Sequence, residues 1–172
     1  ACLYGLSSGA ALVLEAAAVL GDRVAAIALY EPPFNDDPVA RQEWSAFVDQ
    51  LRALLADNRR GDAVRLFLTV LGTTAEELQV FSNAPVWPLF EAVAPTLAYD
   101  VAILGEESRV PLERASQVTT RALLMAGGAE SPYKQAMQTA MAALASCMPQ
   151  AQTRILEGQN HFVDADALAP VL

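Results

Sequence analysis

The sequence predicts an α/β fold: a parallel sheet wrapped by helices, with a helical block inserted between two of its strands. Three observations carry this. Short apolar runs bounded by turn residues alternate with helix-length segments at both ends of the chain. Their links are short, which implies parallel strands joined by right-handed crossovers. Between them lies a long stretch cut up by prolines and without a convincing strand. Composition agrees, since 53% of the 172 residues are hydrophobic and 18% charged. That is too apolar for a disordered chain and suits strands buried on both faces.

In chain order, Ala1 to Tyr4 reads as the end of a strand, followed at once by Gly5-Leu6-Ser7-Ser8-Gly9. Ala10 to Leu20 is made of good helix formers, with Glu15 its one charge, and Gly21-Asp22 stops it. Val24 to Tyr30 is an apolar run of strand length, closed by Glu31-Pro32-Pro33, because proline cannot continue a ladder. From Pro38 helices are expected over Val39–Asn58, Asp62–Leu71, Ala75–Phe81 and Val86–Ala98. Asp62 is a candidate N-cap, and Thr73-Thr74 precede Glu76-Glu77 in a capping-box-like arrangement. Strand–helix order then returns: Arg121–Ala126 as strand, Pro132–Met148 as helix, Thr153–Leu156 as strand, and a last helix from Asp166. The expected organisation is a core over residues 1–37, a helical cap over 38–118, and a second core segment over 119–172.

Bulk charge excludes several function classes. The net charge is −9 and the basic residues are scattered, with only Arg59-Arg60 adjacent. This argues against a nucleic-acid partner, which needs clustered lysine and arginine. Cys2 and Cys147 have neither metal nor redox spacing, so the expected compartment is reducing, the cytoplasm. One histidine and two distant cysteines leave no metal set, and no phosphate-cradling glycine loop occurs, so no cofactor is expected. No apolar run is long enough to span a membrane.

Gly5-Leu6-Ser7-Ser8-Gly9 matches G-x-S-x-G with a strand before it and a helix after it. That context puts a serine on a sharp strand-to-helix turn where its hydroxyl projects as a nucleophile. The flanking glycines let the backbones pack without side chains between them. The helix N-terminus and the Ser8 backbone N–H then face a developing oxyanion. The same residues also fit a glycine-rich turn in which Ser8 only caps the helix.

His161 is the sole histidine, so a Ser/His pair can only be Ser7 and His161. It lies in a loop after the last strand run, and ligand chemistry in open α/β sheets collects at strand carboxyl ends. Imidazole titrates near neutrality and can take the serine proton and return it to a leaving group.

Taken together, the elbow at Ser7, Leu29-Tyr30-Glu31-Pro32-Pro33, Gly127-Gly128-Ala129-Glu130 and Gly158-Gln159-Asn160-His161 resemble the α/β-hydrolase family. The resemblance implies a hydrolase-type parallel sheet, with Ala1–Tyr4 as the family's fifth strand and the earlier strands outside this sequence. It implies a helical cap after the sixth strand, and a triad in the order serine, acid, histidine. The family places its acid shortly after the seventh strand, which points to Glu130. Glu31 is the alternative acid, at the end of the sixth strand, where some members carry it. Asp36 and Asp37 rank third and read better as helix-start residues, as do Asp164 and Asp166. The loop that normally supplies a second oxyanion donor would lie outside this sequence, and the edge of Ala1–Tyr4 would be unpaired.

The expected activity is therefore a serine hydrolase cleaving carboxylic esters or related small acyl compounds. A C–C hydrolase or perhydrolase using the same triad, and a non-catalytic binding protein of the same fold, are the alternatives. Trp44, Phe47, Phe67, Phe81, Trp87 and Phe90 fall in the cap, mostly to hold its helices to the sheet, with a few free to line an apolar pocket. No cluster of basic residues is evident to select an anion, so the expected substrate is apolar or neutral.

Overall fold

The computed structural model describes all 172 residues. It divides into two compact units, Ala1–Asp37 with Ser108–Leu172, and Pro38–Glu107. The first unit carries strands β1 (Cys2–Leu6) and β2 (Ala26–Tyr30), with helix α1 (Ser8–Leu20) between them. The second unit is all helical: α2 (Pro38–Ala56), α3 (Arg60–Val70), α4 (Ala75–Phe81), α5 (Trp87–Val93) and α6 (Leu97–Leu104). The first unit then resumes with α7 (Leu112–Ser116), β3 (Arg121–Gly127), α8 (Lys134–Cys147), β4 (Ala151–Leu156) and α9 (Ala165–Leu168).

The four strands form one parallel sheet whose order, β1-β2-β3-β4, is also their order in the chain. Leu6 pairs with Tyr30, Tyr30 with Met125 and Gly127 with Leu156, so all four carboxyl ends finish along one edge. The central strands read as continuous apolar runs because both their faces are covered. Leu29, Leu124 and Met125 have no exposed surface. Burying each stabilises by roughly 1.5–3 kcal/mol, so β2 and β3 hold the sheet together. β4 differs, with Gln152, Thr153 and Arg154 exposed, the pattern of an edge strand. That is why the sequence reading caught only its last four residues.

Helix α1 buries Ala10, Ala11, Leu14 and Ala17, one helical face turned to the sheet. Its close approach depends on Gly5, since a Cβ there would lie 2.2 Å from the Gly9 carbonyl oxygen. Gly9 is a correction to the sequence reading. A Cβ at Gly9 would meet nothing within 4 Å, so only the first glycine of the motif is sterically required.

The helical unit has its own core. Phe47, Val48, Leu51, Ala63 and Val101 pack together with Trp44 and Phe67 against them. Phe81 meets Trp87 and Phe90 edge to face, with ring centroids 5.7 and 5.0 Å apart. These aromatics thus pack within the insertion's own core. Trp44 Nε1 donates to the Gly105 carbonyl at 2.8 Å, and Arg52 and Arg41 pair with Glu106 and Glu107. Arg59, Arg60 and Arg65 line one open cavity of about 600 Å³, but Asp62 and Glu91 line it too and offset their charge.

Four details depart from expectation. Helix α3 begins at Arg60, so Asp62 sits in its first turn and pairs with Arg59 at 2.7 Å rather than capping it. The expected helix Val86–Ala98 is broken by a tight turn at Ala94–Thr96, where Pro95 removes a backbone donor, and α6 follows. The helical unit closes at Glu107 and not near 118. Residues after Ser108 belong with the sheet: Arg114 pairs with Glu15 of α1 at 2.8 Å, and Ala115 and Val118 are buried. The expected capping box is present, with Thr74 and Glu77 bonded reciprocally.

Candidate active site

Ser7 stands between the last residue of β1 and the first of α1. Its φ of 56° and ψ of −130° are unfavourable for a residue with a Cβ, and such strain persists where surrounding bonds enforce it. Here they do. The Ser7 N–H donates to the Tyr30 carbonyl at 3.0 Å, and the Ser7 carbonyl accepts from Ala10 at 2.8 Å. Its side chain makes no capping bond to the helix, which leaves the hydroxyl free for other work. Ala10 and Ala11 bond back to the Ser7 carbonyl, which leaves the Ser8 and Gly9 amides as the helix's first N–H groups without an acceptor inside it.

Glu31 follows β2 directly and also has a positive φ, 46°. Its backbone N–H donates to the Met125 carbonyl at 2.9 Å, which extends the β2–β3 ladder by one bond. The side chain is 5% exposed. One carboxylate oxygen accepts from the Gly127 N–H at 2.8 Å, and the other lies 2.8 Å from His161 Nδ1. A carboxylate only accepts, so Nδ1 carries the hydrogen and Nε2 presents its lone pair. A buried carboxylate needs such partners, and both of its oxygens have one.

His161 reaches Glu31 from two strands away, roughly 10 Å along the hydrogen-bonding direction. The loop after β4 folds back over the end of β3 to make this possible. A Cβ on Gly127 would lie 2.4 Å from the Gln159 carbonyl oxygen, and one on Gly128 would lie 2.7 Å from a Glu157 carboxylate oxygen. Those two glycines are the floor on which the loop rests. The Ala129 N–H donates to the Gln159 carbonyl at 2.8 Å, and the Tyr30 hydroxyl donates to the Asn160 carbonyl at 2.7 Å. Below the loop, Leu6, Tyr30, Met125, Leu156 and Val163 share one apolar cluster, which spans the sheet from the serine strand to the histidine loop.

Glu130 is placed differently. Its side chain is 91% exposed and pairs with Lys134 at 2.6 Å, one helical turn on. The Lys134 ammonium holds its carboxyl below the usual carboxylate range. The first-choice acid is thus held outward, while the alternative, Glu31, meets the imidazole. Asp36 accepts from the Val110 N–H, and Asp164 caps α9 by accepting from Asp166 at 2.7 Å, so both serve the backbone. Tyr30, Gly127 and Gly128 were missed as site residues. Their signal was present only as strand-end position and paired glycines.

No family model matches the chain, and no curated protein matches it. Solved structures do. An α/β-hydrolase from Sphaerobacter thermophilus is 38% identical over 99% of this chain and 65% of its own, with a TM-score of 0.77. An acetylester hydrolase from Corynebacterium glutamicum is 14% identical, covering 99% of this chain and 58% of its own, at a TM-score of 0.60. A thermophilic esterase from Thermogutta terrifontis is 21% identical, covering 93% and 57%, at 0.55. The chain thus spans 57% to 65% of the length of these three proteins. The two more distant ones share the fold, and the Sphaerobacter protein shares more than a third of its aligned residues as well. Its likeness extends over 99% of this chain, and on that ground the chain has the α/β-hydrolase fold.

Proposed function

We propose that the protein is a serine hydrolase that cleaves small neutral or apolar carboxylic esters through Ser7, His161 and Glu31. The observation that carries this reading is the 2.8 Å bond between His161 Nδ1 and the buried Glu31 carboxylate. That bond fixes the tautomer a general base requires. The strained Ser7 turn at the head of α1 supports it, because a nucleophile held off the regular backbone is a costly arrangement to keep without use.

In this mechanism His161 Nε2 accepts the Ser7 proton as the serine oxygen attacks the ester carbonyl carbon. The resulting oxyanion faces the Ser8 N–H and the positive end of α1. Collapse breaks the bond to the alkoxy oxygen, and His161 returns the proton to the departing alcohol. Water, deprotonated by the same imidazole, then hydrolyses the acyl-serine. Glu31 stays ionised throughout and stabilises the imidazolium. A neutral substrate follows from charge: Ser7, Ser8, Glu31 and His161 include no lysine or arginine, and a substrate carboxylate would meet Glu31 unfavourably.

Treating the full-length protein with a fluorophosphonate probe tests the reading. Labelling and p-nitrophenyl ester hydrolysis are expected in the native protein and absent in Ser7→Ala. A folded native protein that takes no label would sink the proposal and favour a non-catalytic binding role.

A further inference from the structure

We propose that Tyr30 is a positioning residue for the His161 base, its hydroxyl fixing the peptide that joins Asn160 to His161. The inference rests on the reading of Ser7, His161 and Glu31 given above.

Tyr30 is the last residue of β2 and has no exposed surface. Three bonds converge on it and its neighbour. Its carbonyl accepts from the Ser7 N–H at 3.0 Å, and its hydroxyl donates to the Asn160 carbonyl at 2.7 Å. The next residue, Glu31, meets His161 Nδ1 at 2.8 Å. One dipeptide therefore ties the nucleophile turn to the acid and to the histidine loop.

The Asn160 carbonyl matters because the peptide unit is planar. That oxygen and the N–H of His161 belong to one rigid plane that runs on to the His161 Cα, so holding the oxygen fixes where that Cα sits and the N–Cα axis from which the side chain departs. The remaining bonds of the loop do not do this. Phe162 N–H to Asn160 Oδ1 and Asp164 N–H to Gln159 Oε1 are internal to it, and Ala129 N–H to Gln159 acts one peptide earlier. Without the Tyr30 hydroxyl the imidazole would keep Glu31 while the backbone under it could tilt, and Nε2 would swing about that anchor. Burial, reinforced by the Glu31 and Tyr4 charges, pushes the phenol far above its ordinary titration range, so the hydroxyl remains a donor wherever an esterase works.

Tyr30→Phe in the full-length protein removes the donor and keeps the ring. Its comparator is Thr120→Val, which deletes another hydroxyl-to-carbonyl bond, Thr120 to Val24 at 2.9 Å, at the opposite edge of the sheet. For Tyr30→Phe, kcat for a p-nitrophenyl ester is expected to fall about tenfold with KM within about twofold, since misplacing a base slows the chemical step and not binding. Thr120→Val is expected to lower Tm comparably and leave kcat unchanged. Hydrogen exchange should quicken at His161 and Phe162 in Tyr30→Phe alone, a readout that holds even if the melting transitions of the two variants differ. Wild-type kcat in Tyr30→Phe, or equal losses of kcat in both variants, would overturn the positioning role. If Ser7→Ala stays active, the site reading fails and this inference with it. If Ser7→Ala is dead and Tyr30→Phe is unimpaired, only the inference fails.

Discussion

Glu31 and Glu130 both follow strands that end on the same edge of the sheet, but their surroundings oppose each other. Glu31 is enclosed, with one oxygen on a backbone N–H and the other on an imidazole. Glu130 is in solvent beside Lys134, and an exposed pair of that kind contributes little to stability. Replacing each by glutamine separates their roles. On the proposed mechanism, Glu31→Gln keeps the shape but removes the charge that would stabilise the imidazolium, and kcat should fall about a thousandfold or more, as for the equivalent change in a serine protease triad. Glu130→Gln should leave kcat within about twofold, measured on the same ester. In the sequence these two residues looked alike, each a glutamate just beyond an apolar run. What distinguishes them is the positive φ at Glu31 and the return of a loop from β4, two long-range facts that local pattern does not encode.

The elements that were legible were those whose burial imposes a period or a run. β2, β3 and α1 announced themselves as apolar segments of the right length, and Thr73-Thr74 before Glu76-Glu77 marked the capping box that Thr74 and Glu77 form. The start of β4 was not legible because an edge strand wears polar side chains. The break at Ala94–Thr96 was hidden because apolar residues continue through it. Nor could the sequence say what the glycines of the site do. At Gly127 a methyl group would press on the backbone of Gln159 and Asn160, which cannot rotate away. Gly127→Ala should lift the histidine loop, lower Tm and reduce kcat more than tenfold, the order expected when a catalytic group is displaced by about 1 Å. Gly9→Ala meets open space inside a helix and should raise stability by about 0.5–1 kcal/mol, read from a denaturant midpoint.

For the molecule as a whole, the helical insertion leaves and rejoins the sheet unit at neighbouring points. Asn35 N–H donates to the Ser108 carbonyl at 2.8 Å, and the Ser108 hydroxyl donates to the Pro33 carbonyl at 2.6 Å. Ser108 is 3% exposed, so this junction is buried within the sheet unit. Because the insertion also has its own apolar core, replacing Pro38–Glu107 in the full-length protein by a short Gly/Ser linker should preserve a cooperative thermal transition. Loss of that transition in a melt followed by circular dichroism would show that the sheet needs the insertion to fold. No helix is long and apolar enough to cross a membrane.

Strand order that repeats chain order has a consequence during synthesis. β2 finds its neighbour β1 already made and can pair as soon as it clears the ribosome. β3, the partner for the other edge of β2, comes only after the whole insertion has been translated. At about 5–20 residues per second this is a wait of several seconds. Throughout it Tyr30 and Glu31 have no Met125, Gly127 or Asn160 to bond, and the hydrogen-bonding edge of β2 stands open. The length of the helical insertion thus sets how long the nascent chain presents a sticky half-sheet to chaperones and to other chains.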